Sequence, residues 1–320
     1  MSETPKKYLL EPFKNGPFKL SKSKAEWATY VQQLAVSFEA MDALPNFEED
    51  SSIFVFSDYG GDHKDACFNT YSFLIVSADK LGLFERHMAE LRKRSGLGDK
   101  EISYKDLGYG PVKRSIKEYL EVADGCIHGM LLSVCIDKTI GSVFGPGKKA
   151  AKENLLQLSD QIGAGEHHEF KLERMYRIYV ILVLILDLTT SSAHKVLWQS
   201  DNDQINEEGK RGNFSDSQQH FARFLNEFTD KDYPLFGFAK TFKESCHFTD
   251  LLSLTDLAAG MVQDLLSQHY FGREVLVGEE KGEICKWLAR KSRFLDKKCI
   301  AVVKKDGLIY FEPVTFDPVD

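Results

Sequence analysis

Six cysteines in 320 residues, at Cys67, Cys126, Cys135, Cys246, Cys285 and Cys299, form no CxxC or CxxxC pair, so sequence neighbours build neither a zinc knuckle nor a thioredoxin motif. They read as reduced structural thiols without a disulfide framework. Also missing are GxxxxGKS, GxGxxG, GxSxG and HExxH, which argues against P-loop, Rossmann, α/β-hydrolase and zincin chemistry. The greasiest run, residues 178–186, stops at Asp187 after nine residues, against the ~20 of a membrane span. The opening MSETPKKYLLEPFKNGPFK lacks the apolar stretch of a signal peptide, so the expectation is a cytoplasmic protein with no membrane partner. No Pro/Gly/Ser-rich linker divides the chain, which favours one extended α/β domain. An excess of positive charge is absent too. Forty-one Lys+Arg against forty-eight Asp+Glu give −7, so the whole-molecule field does not attract nucleic acid and any polyanion site must be local.

What is present is a series of short apolar runs separated by helical periodicity. A helix over about 24–44 carries apolar residues at helical spacing, and Ile53-Phe54-Val55-Phe56 reads as a central strand ended by Asp58 and Gly60-Gly61. Residues 69–78 form a second strand, with Asp79 capping a helix to about Arg94; a helix over 111–122 precedes a third strand at 130–136. Helices over 150–162 and 170–188 follow. The latter is apolar nearly all round and must be covered on most sides. A fourth strand, 195–200, ends at Asp201-Asn202-Asp203, and helix 215–228, strand 236–242, helix 250–269, helix 282–290 and a hairpin turning at Asp306-Gly307 close the chain. The expected organisation is an N-terminal arm and helix (1–50), a main domain (51–272) and a C-terminal helix and hairpin extension (273–320).

Three strands in succession, then helix and strand alternating, fit an α/β fold with a mixed five-stranded sheet: three antiparallel strands and two added through helical crossovers, the ribonuclease H-like arrangement. Its first and fourth strands lie side by side and parallel, which would bring Asp58 and Asp201 to one edge, where ligands of open α/β sheets bind. Two carboxylates ~4 Å apart repel by about 4 kcal/mol at an effective dielectric of 20, unless a proton or cation lies between them. Oxygen ligands without Cys or a His pair suit Mg²⁺ or Mn²⁺.

Several segments resemble the domain-of-unknown-function 3800 family. FVFSDYGGDHKDACFNTYSFLIV resembles its opening strand, Asp motif and second strand; EISYKDL its Glu-apolar-Lys segment; HKVLWQSDND its later strand ending in Asp; and FKESCHFTDLLSLTDLAAGMV its closing helical signature. The resemblance spans about residues 52–265. It implies a ribonuclease H-like fold and metal-dependent phosphodiester chemistry, with Asp58, Glu101, Asp201 and Asp256 matching the acidic positions. The sequence departs from the pattern at Tyr59-Gly60, in place of Glu-Ser, and at Ser253-Leu254-Thr255.

Helical periodicity puts Asp256 on a strip with Gly260 and Gln263, and a glycine one turn away permits close approach of a ligand or backbone. Glu169 and Glu173 compete with Glu101 for the fourth place, although Glu173 can pair with Arg177 at i+4. Glu166, His167 and His168 could supply a ligand or a base. Asp62 and Asp203 stand close to the proposed ligands, and Lys105 could meet a phosphate or the carboxylates. Residues 283–305 carry eight basic and two acidic residues; with the N-terminal lysines, Lys286, Arg290, Lys291 and Arg293 form the candidate phosphate-contacting surface. The sequence thus points to a divalent-metal-dependent nuclease or related phosphodiesterase acting on DNA, RNA or another phosphodiester, with a protein partner allowed. The alternative is an RNase H-like binding module, catalytically weak or inactive, in a prokaryotic defence or mobile-element system.

Overall fold

The computed structural model describes residues 28–41, 44–163, 169–201, 205, 213–240, 246–275 and 278–317. Seven strands among them form one mixed sheet: β1 (Ser52–Gly60), β2 (Phe68–Ser77), β3 (Gly129–Asp137), β4 (Lys195–Ser200), β5 (Leu235–Lys240), β6 (Leu295–Lys305) and β7 (Leu308–Val314), in the order β5-β4-β1-β2-β3-β6-β7. β1, β2 and β3 are antiparallel neighbours, while β4 pairs parallel with β1, and β5 parallel with β4. This is the strand order expected from the sequence.

The sheet exceeds the expected five strands, because the C-terminal hairpin joins it. β6 runs parallel to β3 and β7 returns antiparallel. Every residue of β3 is buried, so its open edge would expose apolar backbone on both faces. β6 is matched to that position: Cys299, Ala301 and Val303 face one core while Ile300 and Val302 face the other. The turn is a two-residue loop with Asp306 at φ 52° and Gly307 at φ 81°, the left-handed pair that such a hairpin demands. Residues 278–317 therefore continue the main sheet and share its core.

Four helices cover each face. α1 (Ala28–Glu39), α4 (Gly147–Gln161), α5 (Glu169–Thr189) and α6 (Phe214–Phe228) pack on one side. α2 (Gly82–Ser95), α3 (Gly110–Cys126), α7 (Cys246–Phe271) and α8 (Glu279–Ala289) pack on the other. α5 is the buried central helix its composition requires: Ile178 to Leu186 are all at most 1% exposed. α6 opens with a capping box in which Asn213 and Asp216 exchange hydrogen bonds. Among the described residues no helix is long and apolar enough to cross a membrane.

Two local expectations change. β1 continues through Asp58 to Gly60, because β2 remains paired with it as far as Gly60 opposite Thr70. Asp79 does not cap α2, which begins after Leu81; its carboxylate instead accepts from the Ser51 N–H at 2.6 Å and the Ser51 hydroxyl at 2.8 Å, fixing the entrance to β1.

Candidate active site

Alternation along β1 decides which side chains meet. Phe54 and Phe56 belong to the core under α7, and Val55 to the core under α5, so Asp58 faces α7 while Ser57 and Tyr59 face α5. β4 repeats the pattern. Trp198 lies on the α5 side, where its indole N–H donates to the Ser57 hydroxyl at 2.9 Å. Asp201, three residues on, therefore falls on the α7 side. Its N–H donates to the Ser57 carbonyl at 2.9 Å, extending the parallel ladder beyond Ser57 opposite Ser200 and bringing Asp201 level with Asp58.

Asp256 approaches from α7, which packs across β1 and β2. Asp58 and Asp256 lie close enough to act on each other directly, an interaction that raises the pKa of Asp58 and lowers that of Asp256. Burial, followed by the charges of Asp256 and Asp201, holds Asp58 protonated well above the usual carboxylate range. Asp256 is also raised, by burial first and by Asp201; the Tyr104 N–H, which donates to its Oδ2 at 2.7 Å, the interaction with Asp58 and the charge of Lys105 act in the opposite direction. The Tyr59 N–H donates to Asp58 Oδ1, also at 2.7 Å.

Glu101 comes from the loop between α2 and α3. Its side chain reaches solvent, yet the protein crowded around it raises its pKa first, and Asp201 and Asp256 raise it further, while Lys105 and Lys100 oppose them. Asp58, Glu101, Asp201 and Asp256 thus form one electrostatic cluster at the C-terminal ends of β1 and β4. Lys105 is exposed and within electrostatic reach of Glu101 and Asp256.

The Glu101 loop is strapped to α7 at several points. The Arg92 Nε bonds to Asp250 at 3.0 Å, and the same guanidinium donates to the carbonyls of Gly98 at 2.7 Å and Lys100 at 3.0 Å. Tyr104 donates its hydroxyl to Asp264 at 2.6 Å, and Lys281 pairs with the same Asp264 at 2.7 Å. Gly260 makes room for this contact: a Cβ there would lie 2.4 Å from two carbons of the Tyr104 ring. The close approach expected beside Asp256 is therefore made by an aromatic ring of this chain, which also delivers the N–H to Asp256. Tyr104 escaped sequence reasoning, and Gly260 was the signal that could have found it. Gln263, on the same strip, meets His63 at 3.1 Å across Gly60.

Other residues singled out from sequence lie elsewhere. Glu173 is taken by Arg177, Nε to Oε1 2.9 Å, and by the Ser142 hydroxyl at 2.7 Å, on the α5 side of the sheet. Asp62 pairs with Arg174. Asp203, Glu166, His167, His168, the N-terminal lysines and the Glu169 side chain fall outside the described residues. Lys286 pairs with Glu283 at 3.2 Å on α8. Arg290, Lys291 and Arg293 follow α8 and precede β6, whose start is tied to the start of β3 by the Gly129 N–H to the Phe294 carbonyl, 3.0 Å. They sit at the opposite edge of the sheet from Asp58, about 20 Å away along the strands at ~3.3 Å per residue, so they do not flank the acidic cluster.

Among the described residues no three His, Cys, Asp or Glu side chains are arranged so that they could hold a metal ion. What the cluster forms instead is a buried carboxyl pair, Asp58 and Asp256, both with raised pKa, with two further carboxylates within electrostatic reach. Comparison with family models, curated proteins and solved structures finds no match to this chain.

Proposed function

We propose that the chain is a ribonuclease H-like phosphodiester hydrolase dependent on Mg²⁺ or Mn²⁺, a nuclease or a related phosphodiesterase. The observation that carries this reading is the convergence of Asp58 and Asp201, level on adjacent parallel strands, with Asp256 of the covering helix within electrostatic reach of both. The strand order and the family resemblance of residues 52–265 support the same reading.

The donor set fits a hard cation, since it consists of carboxylates alone. Asp58, Asp201 and Asp256 would hold the ion and Glu101 would complete the set, with cation binding taking over from protonation as the means of relieving repulsion. Such an ion, when bound, would activate a water and neutralise a leaving oxygen. The chain's own groups supply the rest. The Tyr104 N–H keeps Asp256 oriented, Arg92 holds the loop bearing Glu101, and exposed Lys105 is placed to meet a substrate phosphate. A second reading, a binding module that keeps the acids without turnover, is supported by the raised pKa of buried Asp58 and the lack of a ready three-ligand group among the described residues.

Calorimetric titration with Mn²⁺, run beside a cleavage assay on single-stranded and duplex DNA and RNA, tests the proposal. Wild type should bind Mn²⁺ and cut, and Asp58→Asn and Asp201→Asn should each abolish cutting with the fold intact. Glu101→Gln should lose more Mn²⁺ affinity than Glu169→Gln. A D58N/D201N double variant cutting at the wild-type rate would overturn the reading; Mn²⁺ binding without cleavage would favour the binding module.

A further inference from the structure

β6 is longer than β7. Their pairing ends with Cys299 opposite Val314, so Leu295–Lys298 overhang without a β7 partner. The overhang forms part of a cavity of about 590 Å³, within the size range of small-ligand sites. Its lining includes the cations Arg290, Lys291, Lys297 and Lys298 and the apolar residues Met41, Leu288, Pro313 and Phe316; Leu288 and Phe316 belong to the α8 side of the sheet and Met41 to the α1 side.

The charges are unbalanced. Lys297 is committed to Asp124 at 2.7 Å and Lys298 to Asp296 at 3.3 Å. Arg290 and Lys291 are exposed, and among the described residues neither has a carboxylate within ion-pair distance. Asp296 is the one acidic residue lining the cavity, and it is already neutralised by Lys298. Arg290 is within electrostatic reach of Asp124, which Lys297 already pairs, so on a chain of net charge −7 the groove keeps an excess of positive charge.

We propose that this groove binds a phosphorylated small molecule of nucleotide size, its phosphates held by Arg290 and Lys291 and its flat apolar part set against Leu288 and Phe316. Guanidinium and ammonium donors suit phosphate oxygens, and the overhanging strand edge adds main-chain N–H donors. The groove is at the sheet edge opposite the acidic cluster, so the proposal stands apart from the catalytic reading and survives its failure.

The test is a calorimetric titration of the full chain with ADP, adenosine and inorganic pyrophosphate in metal-free buffer. ADP should saturate one site, and both adenosine and pyrophosphate should bind at least about tenfold more weakly, since each lacks one half of the recognition. R290A/K291A should lose about tenfold or more in ADP affinity with its unfolding temperature unchanged, whereas Asp58→Asn and Lys105→Ala should retain full affinity. Absence of saturable ADP binding at millimolar concentration overturns the proposal. So does binding that survives R290A/K291A, or binding lost on Asp58→Asn. Binding of a DNA oligonucleotide in place of ADP, with the same sensitivity to R290A/K291A, would also overturn the small-molecule assignment.

Discussion

Replacing Gly260 by Ala should loosen the acidic cluster from behind. The added Cβ would stand 2.4 Å from the Tyr104 Cγ and Cδ1 and 2.9 Å from Cδ2, well inside contact distance. Cγ is close to the backbone, so no side-chain rotation at its far end relieves the clash, and the segment around Tyr104 must retreat from α7. Overpacking of this kind costs typically 1–3 kcal/mol. The retreat also stretches the 2.7 Å bond from the Tyr104 N–H to Asp256, an interaction with a charged acceptor worth about 1.5–3 kcal/mol. The expected loss is about 2–4 kcal/mol, measured by urea unfolding at neutral pH. A double-mutant cycle isolates the cause. In a Tyr104→Ala background the space is open, and Gly260→Ala should cost less than about 1 kcal/mol, giving a coupling of about 2 kcal/mol between the two positions. Equal costs in both backgrounds would refute the steric account. A Gly260→Ala protein as stable as wild type would refute it as well.

Asp58, Glu101 and Asp256 all have raised carboxyl pKa values, so their protons contribute stability that is full below the unfolded-state carboxylate range and is lost as pH rises through the folded values. The metal-free wild type should therefore lose stability relative to Asp58→Asn as pH rises from 4.5 to 8, by up to about 1.4 kcal/mol per pH unit for each proton released; a pH-independent difference between the two would contradict this. Millimolar Mn²⁺ should raise the wild-type unfolding temperature and raise that of Asp201→Asn less, as scanning calorimetry would show. Arg92→Ala removes the buried guanidinium that pairs with Asp250 and frees the Gly98 and Lys100 carbonyls, so it should cost about 3–5 kcal/mol in urea unfolding. Arg92→Ala within 1 kcal/mol of wild type would show that the Glu101 loop is held by other contacts.

The sheet order and the meeting of Asp58 with Asp201 were legible because they depend on local information, strand-like runs, period-two alternation and short connections. β4 was bounded correctly at 195 and 200 for the same reason. The contacts across α7 were not, since whether the strip of Asp256, Gly260 and Gln263 faces solvent or the sheet is decided by packing against a loop some 150 residues away. Glu173 shows the reverse case, its i+4 partner Arg177 being readable from the sequence. The cationic residues after α8 are close together in sequence, but composition carries no direction. Only the parallel pairing of β6 with β3 reveals that they occupy the edge away from Asp58.

That parallel pairing also has a consequence for biosynthesis. The flank of β3 leaves the ribosome long before β6 does, and at ~5–20 residues per second the interval is about ten to thirty seconds. Throughout it the nascent chain presents a largely apolar strand with an unsatisfied edge, which is the kind of surface that templates wrong pairings between chains on neighbouring ribosomes. Soluble yield should therefore respond to chaperone supply and to growth temperature more strongly than the stability of the finished protein does, and stop codons placed before Leu295 should deliver insoluble product.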